Sequence, residues 1–275
     1  MTLTEPAPAK LNLALHVRRR REDGYHELET LFAFVADGDT VTLSEGEGFE
    51  VDGPFASELA GKGDNLVTRA AERFAEAFDV EARGRITLTK RLPVASGLGG
   101  GSADAAATLR LLARRHGIAL ADPRLFACAD ALGSDVPACL YSRTAIGRGR
   151  GERLEPVEGA PGMPVLLVNP GVAVSTAEVF RRWDGIDRGA LGASDLLATA
   201  RAGRNDLEPP ARAIAPVIGD VLALLAAQPG VALVRMSGSG ATCFALFDKP
   251  AARGAAAAAV RAGHPGWWRL ETALS

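Results

Sequence analysis

Apolar and polar positions alternate with two periods along this chain. Leu11, Leu13 and Leu15 interleave with Lys10, Asn12 and Ala14, which predicts a strand carrying Lys10 and Asn12 on its polar face. Leu28–Val35 and Asp39–Glu45 read as two further strands, the second alternating cleanly through Thr40-Val-Thr-Leu-Ser. At Asp64-Asn65 the period lengthens to that of a helix, with Leu66, Ala70, Phe74 and Phe78 on one face and Asp64 as its cap. Alternation returns at Ile86–Lys90, followed by a glycine-rich stretch, Pro93–Ala107, and a helix continuing through Leu112 to Arg115. Asp122-Pro123 opens another helix, which runs through Ala131 and ends at Gly133.

The Gly/Pro-rich stretch Glu158-Gly-Ala-Pro-Gly-Met-Pro164 marks a domain boundary, dividing the chain into 1–157 and 158–275. Beyond it the pattern predicts a buried strand, Val165–Asn169, and helices at Ser175–Trp183, Ser194–Arg201, Ala213–Ala227 and Pro250–Ala262. Two apolar strands within Val231–Phe247 flank the bare tip Ser237-Gly-Ser-Gly240, a hairpin.

A chain of 275 residues has room for two cores, and 47% hydrophobic with 23% charged residues is ordinary globular composition. No stretch approaches the roughly 18 uninterrupted apolar residues of a membrane span, and the N-terminus lacks a signal pattern, so a cytoplasmic location is expected. A net charge of −2 argues against general nucleic-acid binding. Three cysteines, Cys128, Cys139 and Cys243, without CxxC spacing suit a reducing compartment, give no metal site and read as small core residues.

The glycine-rich stretch carries the chemistry. It is not a Walker loop, because no lysine precedes its hydroxyl residue, and the GxGxxG register from Gly97 ends on Ser102. A turn that only joined strand to helix would gain nothing from three consecutive glycines. Gly97, Gly99, Gly100 and Gly101 instead let a ligand approach backbone N–H groups, and Ser102-Ala103 opens a helix whose N-terminus favours phosphate, which implies nucleotide binding.

Other positions support two readings each. Lys10 and Asn12 either face water or hold an anionic or hydroxylated ligand. The run Arg18–Arg21 reads as a solvated loop, and Tyr25-His26 after Gly24 could stack on and read a nucleobase edge. Asn65 is a second capping candidate or offers its amide to a base. Asp135, in the tight loop Gly133-Ser-Asp-Val-Pro137, closes an Asx turn or abstracts a proton. Ser237–Thr242 is a plain turn or a loop facing phosphate or substrate.

Taken in order, Pro8-Ala-Lys-Leu-Asn12, Pro93–Ala107 and Ser237-Gly-Ser-Gly-Ala241 resemble the galactokinase, homoserine kinase, mevalonate kinase and phosphomevalonate kinase (GHMP) superfamily. Together with Asp23-Gly-Tyr-His-Glu-Leu-Glu-Thr30 and Gly133–Pro137, they are similar to its branch that phosphorylates the 2-hydroxyl of 4-diphosphocytidyl-2-C-methyl-D-erythritol with ATP, in the non-mevalonate isoprenoid route. The resemblance implies an α+β fold of two domains. The first is ribosomal-S5-domain-2-like, the second a ferredoxin-like α/β plait, and the active site lies in the cleft between them.

It also implies roles. The backbone from Gly97 to Ala103, with Pro93, Ser96 and Leu98, would wrap ATP, and the Ser102 hydroxyl would face Mg²⁺. Some superfamily members add an acidic metal ligand, which no position here clearly matches; Asp104 lies in the loop motif but can equally cap or pack. Asp135 would accept the proton of the attacking hydroxyl, with Lys10 orienting it. Asn12, Ser237 and Gly238 would touch the substrate and Asn65 the ATP side. His26 would bond the cytosine edge while Tyr25 and Phe180 cover its two faces; Phe180 reads equally as a core residue. Asn205-Asp-Leu-Glu-Pro-Pro210 belongs to the same resemblance without an assigned chemistry. The partner implied is a cytidylyl diphosphate sugar alcohol, with no nucleic acid or membrane, acted on by a monomer or homodimer.

The rivals are another GHMP kinase acting on homoserine or mevalonate, a non-catalytic nucleotide sensor, and a nucleic-acid-binding protein of related fold. Tyr25-His26 counts against the first, the presence of Lys10 and Asp135 against the second, and the acidic net charge against the third.

Overall fold

The computed structural model describes residues 2–59, 65–81, 84–192 and 195–275. They form two compact units interleaved along the chain. Unit 1 comprises residues 1–10, 37–94 and 99–142, and unit 2 comprises 11–36, 95–98 and 143–275. The boundary segment 158–164 lies within unit 2.

Two long strands, β1 (Leu3–Arg20) and β2 (His26–Ser44), contribute to both units and pair with each other. β2 is a single strand through Ala36-Asp37-Gly38, where two were expected. A Cβ at Gly38 would fall 2.0 Å from the Ala7 carbonyl oxygen, so only glycine lets the strand pass there. The arginine run is not a solvated loop. Arg18–Arg20 continue β1, where Arg18 pairs with Glu29 and Asp187 and Arg20 donates to the carbonyls of Arg181 and Trp183.

In unit 1, β4 (Arg85–Thr89) lies antiparallel to β2 and parallel to β3 (Gly48–Asp52), a short strand with no clear signal in the sequence. Four helices pack together: α1 (Leu66–Phe78), α2 (Gly100–His116), α3 (Pro123–Leu132) and α4 (Val136–Tyr141). α2 is buried without interruption from Ala103 to Ala113, which is why its sequence is alanine-rich: small side chains let neighbours approach from every side. The expected cap Asp64 lies outside the described residues. Asn65 caps α1, its Oδ1 accepting from the N–H groups of Val67 and Thr68 at 2.8 and 3.0 Å. Gly133–Pro137 is a loop only as far as Asp135, since Val136 already begins α4.

In unit 2, β5 (Ala145–Gly149) pairs with Leu28–Phe32 of β2 on one edge and with β6 (Arg153–Pro156) on the other. A second sheet has the order β10-β7-β9-β8, with every neighbouring pair antiparallel. Its strands are β7 (Pro164–Asn169), β8 (Val231–Met236), β9 (Cys243–Phe247) and β10 (Trp268–Ala273). This order, with helices after β7 and β9, is the ferredoxin-like plait.

The helices of unit 2 are α5 (Thr176–Arg181), α6 (Leu196–Ala202), α7 (Glu208–Ile214), α8 (Val217–Ala226) and α9 (Pro250–Gly263). The single helix expected over 213–227 is split. Pro216 forces Ala215 out of the helical region to φ −131°, ψ 85°, so α7 ends before it and α8 starts after it. Ser194, the expected start of α6, lies outside the described residues, and Asp195 is the cap. Leu166, Val168, Met236, Ala245 and Phe247 from the sheet pack with Ile218, Val221 and Leu225 of α8 and Val260 of α9 in one core. All three cysteines are buried and free.

Candidate active site

In unit 1 the glycine loop ends at Gly99, which takes a left-handed φ of 64° and caps α2. The helix starts at Gly100, two residues before the expected Ser102. Gly100, Gly101 and Ser102 thus occupy its first turn, where N–H groups lack helical acceptors and the dipole is positive. The Ala103 N–H closes the first helical bond onto the Gly99 carbonyl at 2.8 Å.

Lys10 and Asp135 meet beside this turn. Lys10 Nζ lies 3.0 Å from Asp135 Oδ2, with the lysine 3% and the aspartate 35% exposed. A Cβ on Gly99 would stand 2.9 Å from Lys10 Cε and 3.8 Å from Asp135 Oδ2, so backbone at this point approaches the pair as only glycine can. Asp135 occupies the cap position of α4 without a side-chain capping bond, so its carboxylate is engaged with the lysine rather than with the helix end. Of the two readings of Lys10 and Asn12, the one in which both simply face water does not hold. β1 is buried continuously from Ala9 to Val17, with Asn12 only 2% exposed.

Beneath the first turn of α2 is a charge cluster the sequence reading missed. Lys90 Nζ donates to Asp39 Oδ2 and, at 2.8 Å, to Asp104 Oδ2, all three being buried. Asp39 Oδ1 also accepts from the Leu92 N–H at 2.8 Å. A Cβ on Gly100 would lie 3.0 Å from Lys90 Nζ. Burial pushes the Asp104 carboxyl up to about 7; Lys90 pulls the other way and Asp39 adds to the rise. Burial works against the Lys90 ammonium, but Asp104 and Asp39 outweigh it and raise its pKa. Asp104 therefore packs against Lys90. The available signal was a lone acid inside an alanine run, which demands a buried counter-charge.

In unit 2 the other end of the glycine loop meets the hairpin tip, which the sequence had presented as a separate loop. The Ser237 hydroxyl donates to the Gly97 carbonyl at 3.0 Å, and the Thr242 N–H donates to the Ser96 carbonyl at 3.1 Å. A Cβ on Gly97 would fall 2.4 Å from the Ser237 carbonyl oxygen, so the two loops pack backbone on backbone. Asn12 joins them: its N–H donates to Ser237 Oγ at 3.3 Å, and its Nδ2 donates to Thr30 Oγ1 at 2.8 Å. Gly238 lies against it, a Cβ there reaching to 3.4 Å from Asn12 Oδ1.

The same unit brings His26 and Phe180 ring to ring, with centroids 4.8 Å apart and planes tilted by 33°. Trp183, unmarked in the sequence, also meets His26, edge-on at 5.7 Å and 83°. His26 Nε2 is buried without a hydrogen-bond partner among the described residues. Burial first, then Arg20, lowers the His26 pKa, keeping the imidazole neutral with one donor and one acceptor nitrogen. Tyr25 is half-exposed, with the Arg150 guanidinium 5.1 Å from its ring centroid.

A glycine-capped helix N-terminus beside a lysine–aspartate pair, carried on this pair of α+β units, defines a small-molecule kinase of the GHMP class. Residues 65–143 match the GHMP kinases N terminal domain and residues 187–266 the GHMP kinases C terminal domain. The chain is 57% identical over 98% of its length to the 4-diphosphocytidyl-2-C-methyl-D-erythritol kinase of Rhizorhabdus wittichii, covering 94% of that protein. It is 50% identical to the protein of the same name from Methylorubrum extorquens, over 99% of each chain. A crystal structure of 4-(cytidine 5'-diphospho)-2C-methyl-D-erythritol kinase superposes with a TM-score of 0.79 at 38% identity, over 100% of this chain and 99% of the other. The chain belongs to the 4-diphosphocytidyl-2-C-methyl-D-erythritol kinase family of GHMP kinases.

Proposed function

We propose that the protein transfers the γ-phosphoryl group of ATP to the 2-hydroxyl of 4-diphosphocytidyl-2-C-methyl-D-erythritol, in the non-mevalonate isoprenoid route. The observation that carries the chemistry is the Lys10–Asp135 pair at 3.0 Å beside Gly99. Asp135 takes the proton of the attacking hydroxyl as its oxygen bonds to the γ-phosphorus and the bond to the ADP oxygen breaks. Lys10 orients that carboxylate and offsets negative charge gathering on the transferred group. The N–H groups of Gly100, Gly101 and Ser102 hold the phosphates, and the Ser96–Leu98 backbone with Pro93 completes the loop.

Asn65 turns its amide nitrogen to the nucleotide, its Oδ1 being engaged in capping α1. The positive φ of Gly99 and the free N–H groups of the first turn of α2 suit the phosphates of a nucleotide that carries Mg²⁺. That ion would supply charge neutralisation, with the Ser102 hydroxyl facing its shell.

For the acceptor substrate, neutral His26 offers a donor and an acceptor to the cytosine edge, Phe180 and Tyr25 cover the base, and Asn12, Ser237 and Gly238 contact the remainder. A buried, unpartnered Nε2 beside an aromatic ring supports that reading. Among the described residues no helix is long and apolar enough to cross a membrane. The reading places the enzyme in the cytoplasm, as a monomer or homodimer.

An ADP-release assay with the cytidylyl substrate, homoserine and mevalonate tests it. Turnover is expected with the first alone; turnover with either of the others but not the first overturns the assignment.

A further inference from the structure

The segment Arg204-Asn-Asp206 has an unusual density of bonds for a connection between helices. On one side it is stitched to β1. The Leu15 N–H donates to the Arg204 carbonyl at 2.7 Å, the Asp206 N–H to the Leu15 carbonyl at 2.9 Å, and the Val17 N–H to Asp206 Oδ2 at 2.8 Å. On the other side Asn205, 5% exposed, spends its whole amide on the hairpin tip and its own turn. Nδ2 donates to the carbonyls of Met236 and Gly238, both at 2.8 Å, and Oδ1 accepts from the Leu207 N–H at 2.9 Å.

Two donors and one acceptor in that arrangement require an amide; a carboxylate of the same shape offers none of the donors. The carbonyls it grips set the loop. Gly238 and Gly240 adopt left-handed φ values of 56° and 90°, a path that depends on glycine, and besides the Ser239–Thr176 hydroxyl contact at 2.8 Å it is the Asn205 amide that holds the tip's carbonyls. Because a trans peptide is planar, holding the Gly238 carbonyl toward Asn205 turns the Ser239 N–H away from it. The loop held this way is the one whose Ser237 hydroxyl bonds the Gly97 carbonyl and receives the Asn12 N–H.

We propose that Asn205 is a positioning residue for phosphoryl transfer: it fixes the Ser237–Gly240 loop against Gly97 and Asn12 without touching either substrate. The inference rests on the kinase activity proposed above and gives a role to the Asn205–Pro210 motif.

The test compares wild type, Asn205→Asp, Asn205→Ser and Val221→Ala. The last is a core truncation in α8 that lowers stability through packing while leaving every bond made by Asn205 in place. Each is assayed with ATP and the cytidylyl substrate, with kcat expressed per folded molecule. Asn205→Asp is expected to lower kcat about 100-fold, the scale of a misplaced reacting geometry, while Val221→Ala stays within about twofold of wild type. Asn205→Ser, which keeps one hydroxyl donor, is expected to fall between and serves if the aspartate variant does not fold.

Hydrogen exchange over residues 237–242 supplies a reading independent of turnover. It should quicken about tenfold in the Asn205 variants while β7 is unchanged. Wild-type kcat per folded molecule in an Asn205 variant, or unaltered exchange in the tip, overturns the proposal. A wild type inactive on the cytidylyl substrate refutes the functional reading instead, and the exchange result still decides whether Asn205 holds the loop.

Discussion

Lys10 Nζ lies 3.0 Å from Asp135 Oδ2, although one residue sits in the first strand and the other at the start of the fourth helix. The lysine is almost wholly buried while the carboxylate keeps a third of its surface open. A base fixed at one end and accessible at the other is what proton abstraction from a bound hydroxyl demands.

Asp135→Asn preserves shape and removes the base. It should lower kcat by about 100- to 10,000-fold, the range of a lost general base, with ATP affinity nearly unchanged. Stopped turnover beside normal binding of a fluorescent ATP analogue checks this; a rate close to wild type removes Asp135 from the mechanism.

His26→Ala should raise KM for the cytidylyl substrate far more than KM for ATP, since its ring meets Phe180 and its Nε2 lacks a protein partner among the described residues. Equal changes in both constants would end the base-reading role. Because burial and Arg20 lower its pKa, wild-type KM for that substrate should stay flat as pH falls through about 6.5, the ordinary histidine value, and rise only in more acid solution, as protonation turns the acceptor nitrogen into a donor.

Gly99→Ala and Gly101→Ala compare two glycines of the phosphate-binding turn that differ in the space left for a Cβ. At Gly99 an alanine incurs a left-handed φ costing about 1–2 kcal/mol and displaces Lys10 Cε, only 2.9 Å from the new Cβ, so kcat should drop about 10-fold or more. At Gly101 the nearest atom is Leu66 Cδ1 at 3.5 Å, and alanine should stabilise the helix by about 0.5–1 kcal/mol. Thermal melts and steady-state kinetics of the two variants read both effects, and a fully active Gly99→Ala contradicts the close approach.

Lys90→Met leaves Asp39 and Asp104 buried together without a cation. Urea denaturation at pH 7 should show a loss of about 3–5 kcal/mol. The loss should shrink toward acid pH, because burial already pushes Asp104 up to about 7 and its protonation relieves the pair. A loss under about 1 kcal/mol would mean that the cluster is not holding the start of α2.

His16 links stability to pH. Its Nε2 accepts the Arg204 N–H at 3.2 Å, and its other nitrogen faces the Gly189 carbonyl at 3.1 Å, an arrangement only the neutral ring satisfies. Burial first, then Arg204, lowers its pKa against the opposing pull of the Gly189 carbonyl, Asp206 and Glu29. Below about pH 6.5 the unfolded chain then binds more protons than the folded one, so stability is full above that pH and declines as pH falls through it. Urea midpoints between about pH 7 and 5.5 should drop in wild type and drop less in His16→Gln.

The glycine loop, the helix after it, the hairpin around Ser237 and the order of these motifs were legible in the sequence, because each is written in neighbouring residues: backbone freedom, capping and short-range periodicity. The same local logic misjudged β1, where alternation suggested a wet face for Lys10 and Asn12 and the arginine run suggested a loop. A strand covered on both faces obeys no such alternation. It also joined α7 and α8 across Pro216, whose restriction on Ala215 outweighed the continuous apolar pattern.

By itself, then, the sequence determined the phosphate-binding loop, the mixed α+β organisation and the family resemblance. Tertiary structure alone decided that Lys10 pairs with Asp135, that Asp104 is tied to Lys90 and Asp39, that Trp183 meets His26, and that Asn205 grips the hairpin tip. Each of those is a buried polar or aromatic contact between residues distant in the chain. Such contacts form because a desolvated donor, acceptor or charge must find a partner wherever folding places one, and no local period records where that will be.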